Sequence, residues 1–540
     1  MGRDVQARLH ALGTRMAGNL RESITVDTRT LAVFRVFAGL LIVADVILRS
    51  RNFWFFYAES GVMTREWAMR VTSDAFSFFW ISTDPRVIAL LMVVHMLVAI
   101  QLIVGYKTRV AVILSFLFVM SFDQFNPFIT SYADTLFRLL LFWAIFLPLG
   151  ERYSIDAVHR ERTPRATFVG IASAGILCQM VMMYFTNGYH KTQSDIWGTG
   201  TAAPRVMGRD DITFLFGEYT REIPTLVGYG GIGWFYILVA SPILLFLVGR
   251  LRFIAMLPFA GGHLSFALTV RIGAFAYVAL LGLLLFVQPQ VWRDGKAVLA
   301  RAGVEAQSVY DRLRPLERIA HAAPERRVPG ETQREVRAQM YTLSVVTIAA
   351  VVVLFTIGSY VPAAALGPAA PAFDDDSPHK QQIEETANTF DIDQPTWTIF
   401  APTPGTHDRY HVFVAETENG ELLDVYNDRA LTFDRPYDGL QKQYDTYRER
   451  FYMNSIRRAG TGSTTMELLG DYICDRYQEE HDITLTQINV YSVTERAEMD
   501  TLDDPDERRT WTQDHHAHAC GDEQPEWIDL PEEGLGERAP

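Results

Sequence analysis

Cysteine is nearly absent: the 540 residues contain three, at positions 178, 474 and 520. That number excludes a disulfide scaffold and a four-cysteine zinc site. Cys178 lies in an apolar run, which leaves Cys474 and Cys520 as the one pair able to bridge. Lysine is also scarce, with five among 49 basic residues, so arginine is the default cation and each lysine calls for a reason. No basic patch is free of apolar sequence, and nucleic acid is not an expected partner. A P-loop, a nucleophile elbow, a zinc-protease motif and an internal repeat are all missing.

What is present is an uneven division of charge and apolarity. Residues 1–363 carry 35 basic and 25 acidic groups, a net of +10, whereas residues 364–540 carry 14 and 38, a net of −24. A basic apolar part followed by an acidic hydrophilic part is the pattern of a membrane protein with a water-exposed domain. Crossing the hydrocarbon layer takes roughly 20 mostly apolar residues. Nine runs qualify at soft boundaries: Thr30 to Leu48, Val87 to Val104, Val110 to Phe122, Asp134 to Leu149, Ala166 to Thr186, Gly230 to Val248, Phe253 to Val270, Ile272 to Val287 and Met340 to Ala363. The expected fold is a membrane all-α bundle of about nine transmembrane helices with a C-terminal extracytoplasmic α+β domain.

Residues 1–29 lack the apolar core and cleavage site of a signal peptide. Val5, Leu9, Leu12, Met16 and Leu20 share one helical face there, as in a helix lying on the bilayer surface. Basic groups cluster in alternate connections, at Lys107 and Arg109, at Arg152 to Arg165, at Arg250 and Arg252, and across 289–339. The positive-inside rule then places the N-terminus in the cytoplasm of a multi-pass cell-membrane protein and the C-terminal domain outside. Residues 364–385, with three prolines and a run of aspartates, read as a linker. Residues 386–499 read as an α+β domain: strands flank Asn419-Gly420, helical patterns cover Gln441 to Arg458 and Thr465 to Glu480, and a strand follows from Ile483 to Val493. From Asp500 to Pro540 the chain is acidic and poor in aliphatics, so a disordered tail is expected.

Ionisable groups in spans mark function or packing. Asp45 and Arg49, and Asp134 and Arg138, are spaced four apart at outer helix ends, a spacing that suits salt bridges; Asp123 and Asn126 flank the loop between. Arg35 and His95 lie at other depths and suit structural roles. Lys191 directly follows the fifth span, where a lysine, unlike an arginine, is able to become neutral and act as a base; a neighbouring cation favours that state, and His190 is the adjacent residue that could supply one. Gly228, Gly230 and Gly233 spell G-x-G-x-x-G without a strand before them, as expected for helix packing through small residues. Asp514 to Cys520 offers metal-ligand types without fixed geometry, and no metal site is assigned.

Several of these residues stand in a recognisable order. Arg35, then Asp45 and Arg49, then Gly188-Tyr189-His190-Lys191 followed by Trp197-Gly198-Thr199-Gly200, resemble the HTTM (horizontally transferred transmembrane) family, whose best-known member is the vitamin K-dependent gamma-carboxylase. His263 followed by Arg271-Ile272-Gly273-Ala274-Phe275 resembles the family's later histidine-bearing helix. Trp397-Thr398-Ile399-Phe400-Ala401-Pro402-Thr403-Pro404 is similar to the motif opening its outer domain. The resemblance covers roughly residues 25–495. It implies Lys191 as catalytic base and His263 as a residue binding or polarising the quinone, with His190, Trp197 and Arg271 near the cofactor. It also implies reduced vitamin K or menaquinone as cofactor, oxygen and carbon dioxide as co-substrates, the lipid bilayer as surroundings and an extracytoplasmic protein whose glutamate is carboxylated. One departure is Asn126-Pro127-Phe128, where animal carboxylases have a functionally important histidine. The competing expectation is a non-catalytic protein that binds quinone or lipid and holds a partner with its outer domain.

Overall fold

The computed structural model describes residues 18–540 apart from 73–74, 304–316, 319, 325–330, 361–376, 379–380, 383–384, 386–393, 460–462, 503, 531–536 and 539–540. The longer helices of the first part are α1 (Thr28–Arg51), α2 (Pro85–Val104), α3 (Thr108–Phe125), α4 (Tyr132–Ala144), α5 (Ile171–Lys191), α6 (Pro224–Ala240), α7 (Gly249–Thr269), α8 (Phe275–Leu284), α9 (Pro289–Arg301) and α10 (Glu331–Tyr360). Their ends follow local chemistry. Asp27 caps α1 by accepting from the Arg29 amide, Asp84 caps α2 ahead of Pro85, and Gly105 closes α2 at φ 71°, a left-handed conformation that glycine adopts without strain. Ser131 and Asp134 form a reciprocal capping box on α4.

Among the described residues, five helices are long and apolar enough to cross a membrane: α1, α2, α3, α6 with its continuation to Leu245, and α7. The bent pair of α8 and α9, which meet at 98°, makes a sixth if it counts as one span. The nine apolar runs therefore do not all become long apolar helices. The run from Asp134 shortens to α4, whose 13 residues extend about 20 Å, less than the ~30 Å of a hydrocarbon layer. α4 is buried along nearly its whole length and α8 along most of its own. These two helices are apolar because protein surrounds them. In α2, by contrast, Leu90, Val93 and Leu97 are exposed, as they are on a helix face that meets lipid. The ninth run lies in α10 up to Tyr360, and its remainder falls outside the described residues, as do residues 1–17 of the expected surface helix and residues 364–376 of the expected linker.

The C-terminal part is a six-stranded sheet with two helices. Its strands are β1 (His407–Thr417), β2 (Leu422–Asp424), β3 (Arg429–Ala430), β4 (Leu485–Arg496), β5 (Thr510–Ala519) and β6 (Glu537–Arg538), in the order β3-β2-β1-β4-β5-β6. The pairs are antiparallel except β5 with β6. Asn419-Gly420 turns the β1–β2 hairpin as expected, with Gly420 at φ 78°. Helices α11 (Tyr447–Ala459) and α12 (Thr464–His481) carry the two helical patterns.

The expected disordered tail from Asp500 is overturned. Thr510 to Ala519 forms β5 along the whole of β4, and Cys520 is joined to Cys474 of α12 across 5.7 Å between Cα atoms. β5 fills its inward positions with histidine and threonine in place of aliphatics, which removes the usual apolar signal. His515 shares a hydrogen bond of 2.7 Å with Ser492 Oγ. His518 packs over Gly470, where any Cβ would meet its ring.

Burial holds these outer-domain histidines neutral. Desolvation lowers His411 to about 3 and His515 to about 4 from an ordinary value near 6.5. Because the folded values lie below the unfolded one, the unfolded chain binds more protons as pH falls through 6.5 toward 4. The outer domain should lose stability over that window, by about 1.4 kcal/mol per pH unit for each such histidine. Thermal melts between pH 7.5 and 4.5 should show this slope, and His515→Gln should flatten it.

Candidate functional site

Two ionic seams join the C-terminal domain, called the outer domain after the position expected for it, to one end of the helical bundle. In the first, Arg49 of α1 donates to Asp45 (2.7 Å), Asp123 (3.2 Å), Asp134 (3.3 Å) and the Tyr57 hydroxyl (3.0 Å). Arg138 reaches Asp123 at 2.7 Å. Arg448 of α11 then enters from the outer domain and binds Asp45 at 2.6 Å, Asp134 at 2.8 Å and the Ile129 carbonyl at 3.1 Å. Among the described residues, three guanidinium groups thus meet three carboxylates in a largely buried cluster. The expected pairing of Asp45 with Arg49 is present, within a larger network that reaches the other domain.

In the second seam, Asp210 and Asp211 face Arg435 (2.6 Å) and Arg450 (2.5 Å) of the outer domain. Asp408 on β1 accepts from the backbone amides of Asp210 and Asp211 and pairs with fully buried Arg508 at 2.7 Å.

Between the seams lies a cavity of about 440 Å³ with mostly apolar walls. α5 contributes Tyr184, Asn187 and Lys191; α6 contributes Gly230, Gly233 and Trp234; α7 contributes His263 and Phe266. Trp197 lies at one side, and Ile399 and Phe400 of the outer domain close the top. That top is a strap fixed by polar side chains from below. Asn187 Nδ2 donates to the carbonyls of Trp397 (2.7 Å) and Ile399 (2.9 Å), and Trp197 Nε1 donates to Pro402 O (2.9 Å). Trp397 and Phe400 take φ of 51° and 53°, left-handed values costly for bulky residues and held here by those contacts.

Lys191 is 1% exposed. Its Nζ donates to Ile399 O at 2.6 Å and sits 4.1 Å from the centre of the Trp197 ring. Among the described residues no carboxylate pairs with it. His263, also 1% exposed, meets the Tyr184 hydroxyl through Nε2 at 2.9 Å, and its Nδ1 has no partner among the described residues. Trp234, Phe266 and Phe275 surround the same ring.

The expected site residues divide. Lys191, His263 and Trp197 line this one cavity although they come from separate elements. His190 is absent from its lining; half-buried, it contacts Tyr189 on another side of α5. Arg271 is absent too: its guanidinium donates to the carbonyls of Gln441 (2.5 Å) and Tyr444 and so holds the outer domain. The G-x-G-x-x-G glycines also depart from the packing expectation, since only Gly228 packs closely, against Gly200, while Gly230 and Gly233 face open space in the cavity wall. Arg35 donates to the carbonyls of Leu149 and Arg152 at the other end of the bundle, a structural role. Asn126 caps the turn at Pro127–Ile129, and Phe128 O accepts from Ser455 of α11 at 3.0 Å. That stretch is a docking surface and contributes nothing to the cavity lining.

Tyr184, Asn187 and Ile399 were not anticipated as functional. A polar Asn one turn before Lys191 on the same helix face was the available signal for the first contact. The carbonyl of Ile399 has no sequence signal, because it comes from more than 200 residues away.

The model of the HTTM domain matches residues 24–292, a span that includes Lys191, Trp197, His263 and Arg271. No curated protein matches the chain. No solved structure matches it either.

Removing one partner from the first seam leaves a carboxylate uncompensated. Arg448→Met should destabilise the protein by about 3 kcal/mol, read as a lower thermal midpoint in detergent. Adding Asp134→Asn to that variant should restore part of the loss, and additive losses would contradict the coupling.

Proposed function

Because the chain belongs to the HTTM family, we propose that it is an integral membrane enzyme coupling oxidation of a reduced naphthoquinone to carboxylation of protein glutamate at the extracytoplasmic face. The observation that carries this reading is Lys191, a buried amine facing a carbonyl and an indole in an apolar cavity. Such surroundings disfavour the charged ammonium and leave the neutral amine ready to accept a proton. An arginine there would stay charged.

The residues present suit a naphthoquinone: aromatic and glycine walls accept a flat ring, and the unpartnered His263 Nδ1 together with Lys191 Nζ suits its oxygens. When bound, reduced vitamin K or menaquinone supplies the reaction with oxygen that drives removal of a glutamate γ-proton, and carbon dioxide then adds. The chain's own tasks are local. Ile399 O aims Nζ, Trp197 covers it, Asn187 holds the strap that carries Ile399, and the apolar walls exclude water. The strap belongs to the outer domain, which is where a protein substrate arrives.

We also infer that the N-terminus is cytoplasmic and the outer domain extracytoplasmic, from the alternation of basic connections. The competing reading, a quinone or lipid binder without catalysis, draws on the use of Asn126-Pro127-Phe128 for docking.

Purified protein given reduced menaquinone and oxygen should form quinone epoxide, and Lys191→Ala should reduce the rate by about 100-fold or more. No epoxide from the unmutated protein, under conditions in which a known carboxylase works, would sink the enzymatic reading. Asn419→Cys, at the exposed β1–β2 turn, should be labelled by an impermeant reagent in intact cells; labelling only after lysis would reverse the orientation.

A further inference from the structure

Among the described residues, Tyr184 and His263 form the one hydrogen bond between two side chains that line this cavity, and its direction can be argued. The pair is 2.9 Å apart, the residues are 2% and 1% exposed, and no other partner of the Tyr184 hydroxyl is described. If Tyr184 donates to Nε2, imidazole's basic nitrogen accepts from the more acidic group, and only the Nδ1 hydrogen is left over. If His263 donates instead, the phenolic hydrogen and the Nδ1 lone pair both lack partners in a dry site, and each orphan is costly. The first arrangement is the favoured one.

We propose that Tyr184 is a positioning residue that fixes His263 as the Nδ1–H tautomer, so that the cavity holds a second N–H donor besides Lys191 and recognises an occupant by an acceptor oxygen. The rings of Trp234, Phe266 and Phe275 take up the other sides of the imidazole and offer no acceptor. The space left for a partner of Nδ1 is the cavity that His263 lines. The occupant's identity as a quinone rests on the function proposed above; the tautomer does not.

Nitrogen NMR of protein labelled with ¹⁵N-histidine, with the His263 signals assigned by their loss in His263→Gln, tests both parts. In the unmutated protein Nδ1 should show the protonated shift and Nε2 the unprotonated one, and Tyr184→Phe should give a mixture of tautomers. A protonated Nε2 in the unmutated protein, or an unchanged tautomer in Tyr184→Phe, overturns the proposal. Menaquinone should move the Nδ1 resonance, and a prenylated naphthalene lacking oxygen should leave it in place. Menaquinone should bind about tenfold more tightly than that hydrocarbon, and Tyr184→Phe should erase most of the difference. A stable Nδ1–H tautomer that ignores menaquinone would refute the quinone reading and leave the role of Tyr184 intact. A moving resonance with the opposite tautomer would do the reverse.

Discussion

Arg448 carries a charge from the acidic outer domain into a group of carboxylates at one end of the helices. Arg49 and Arg138 supply two positive charges against Asp45, Asp123 and Asp134, and the third arrives with Arg448. Unpaired, a carboxylate at such a place is expensive. Docking of the outer domain is therefore part of the electrostatic completion of the helical bundle. In the second seam Asp210 and Asp211, already paired with Arg221 and Arg209 of the helical part, also meet Arg435 and Arg450 of the outer domain. With both seams closed, the strap from Trp397 to Pro402 is held over the cavity, and Lys191 gains the carbonyl that orients it.

The seams also explain the split of charge along the chain. The outer domain is strongly acidic overall, yet the residues it sends into the first seam and beside Arg271 are an arginine and backbone carbonyls. Net charge describes its solvated surface, and its docking face has a different composition.

Much of this was legible in the sequence, and the failures have physical causes. Asn419-Gly420 identifies its hairpin because a tight turn between twisted strands demands left-handed backbone. Apolar runs identify helices but not what surrounds them: α4 and α8 are as apolar as the lipid-facing helices because protein covers them instead. β5 escaped notice because histidine fills its inward positions, and the sheet and the Cys474–Cys520 bridge supply the stability that aliphatics usually provide. At the site, Lys191 stood out by residue type and position, whereas Trp197 and the role of His263 came from the resemblance to the HTTM family. His190 could not join them, since one step along a helix rotates a side chain by about 100°. Arg271 lies past the end of α7, where the carbonyls around Tyr444 are nearer than the cavity.

The strap has a consequence for what counts as a unit in this protein. The match to the HTTM domain ends at residue 292, whereas Ile399, which orients Lys191, lies over a hundred residues beyond it. The covalent chain divides into a bundle and an appendage, but the reactive cavity does not respect that division. A chimera pairing this bundle with another outer domain would replace a cavity wall and the lysine's hydrogen-bond partner together. The outer domain would thereby shape the cavity of the bundle on which it docks.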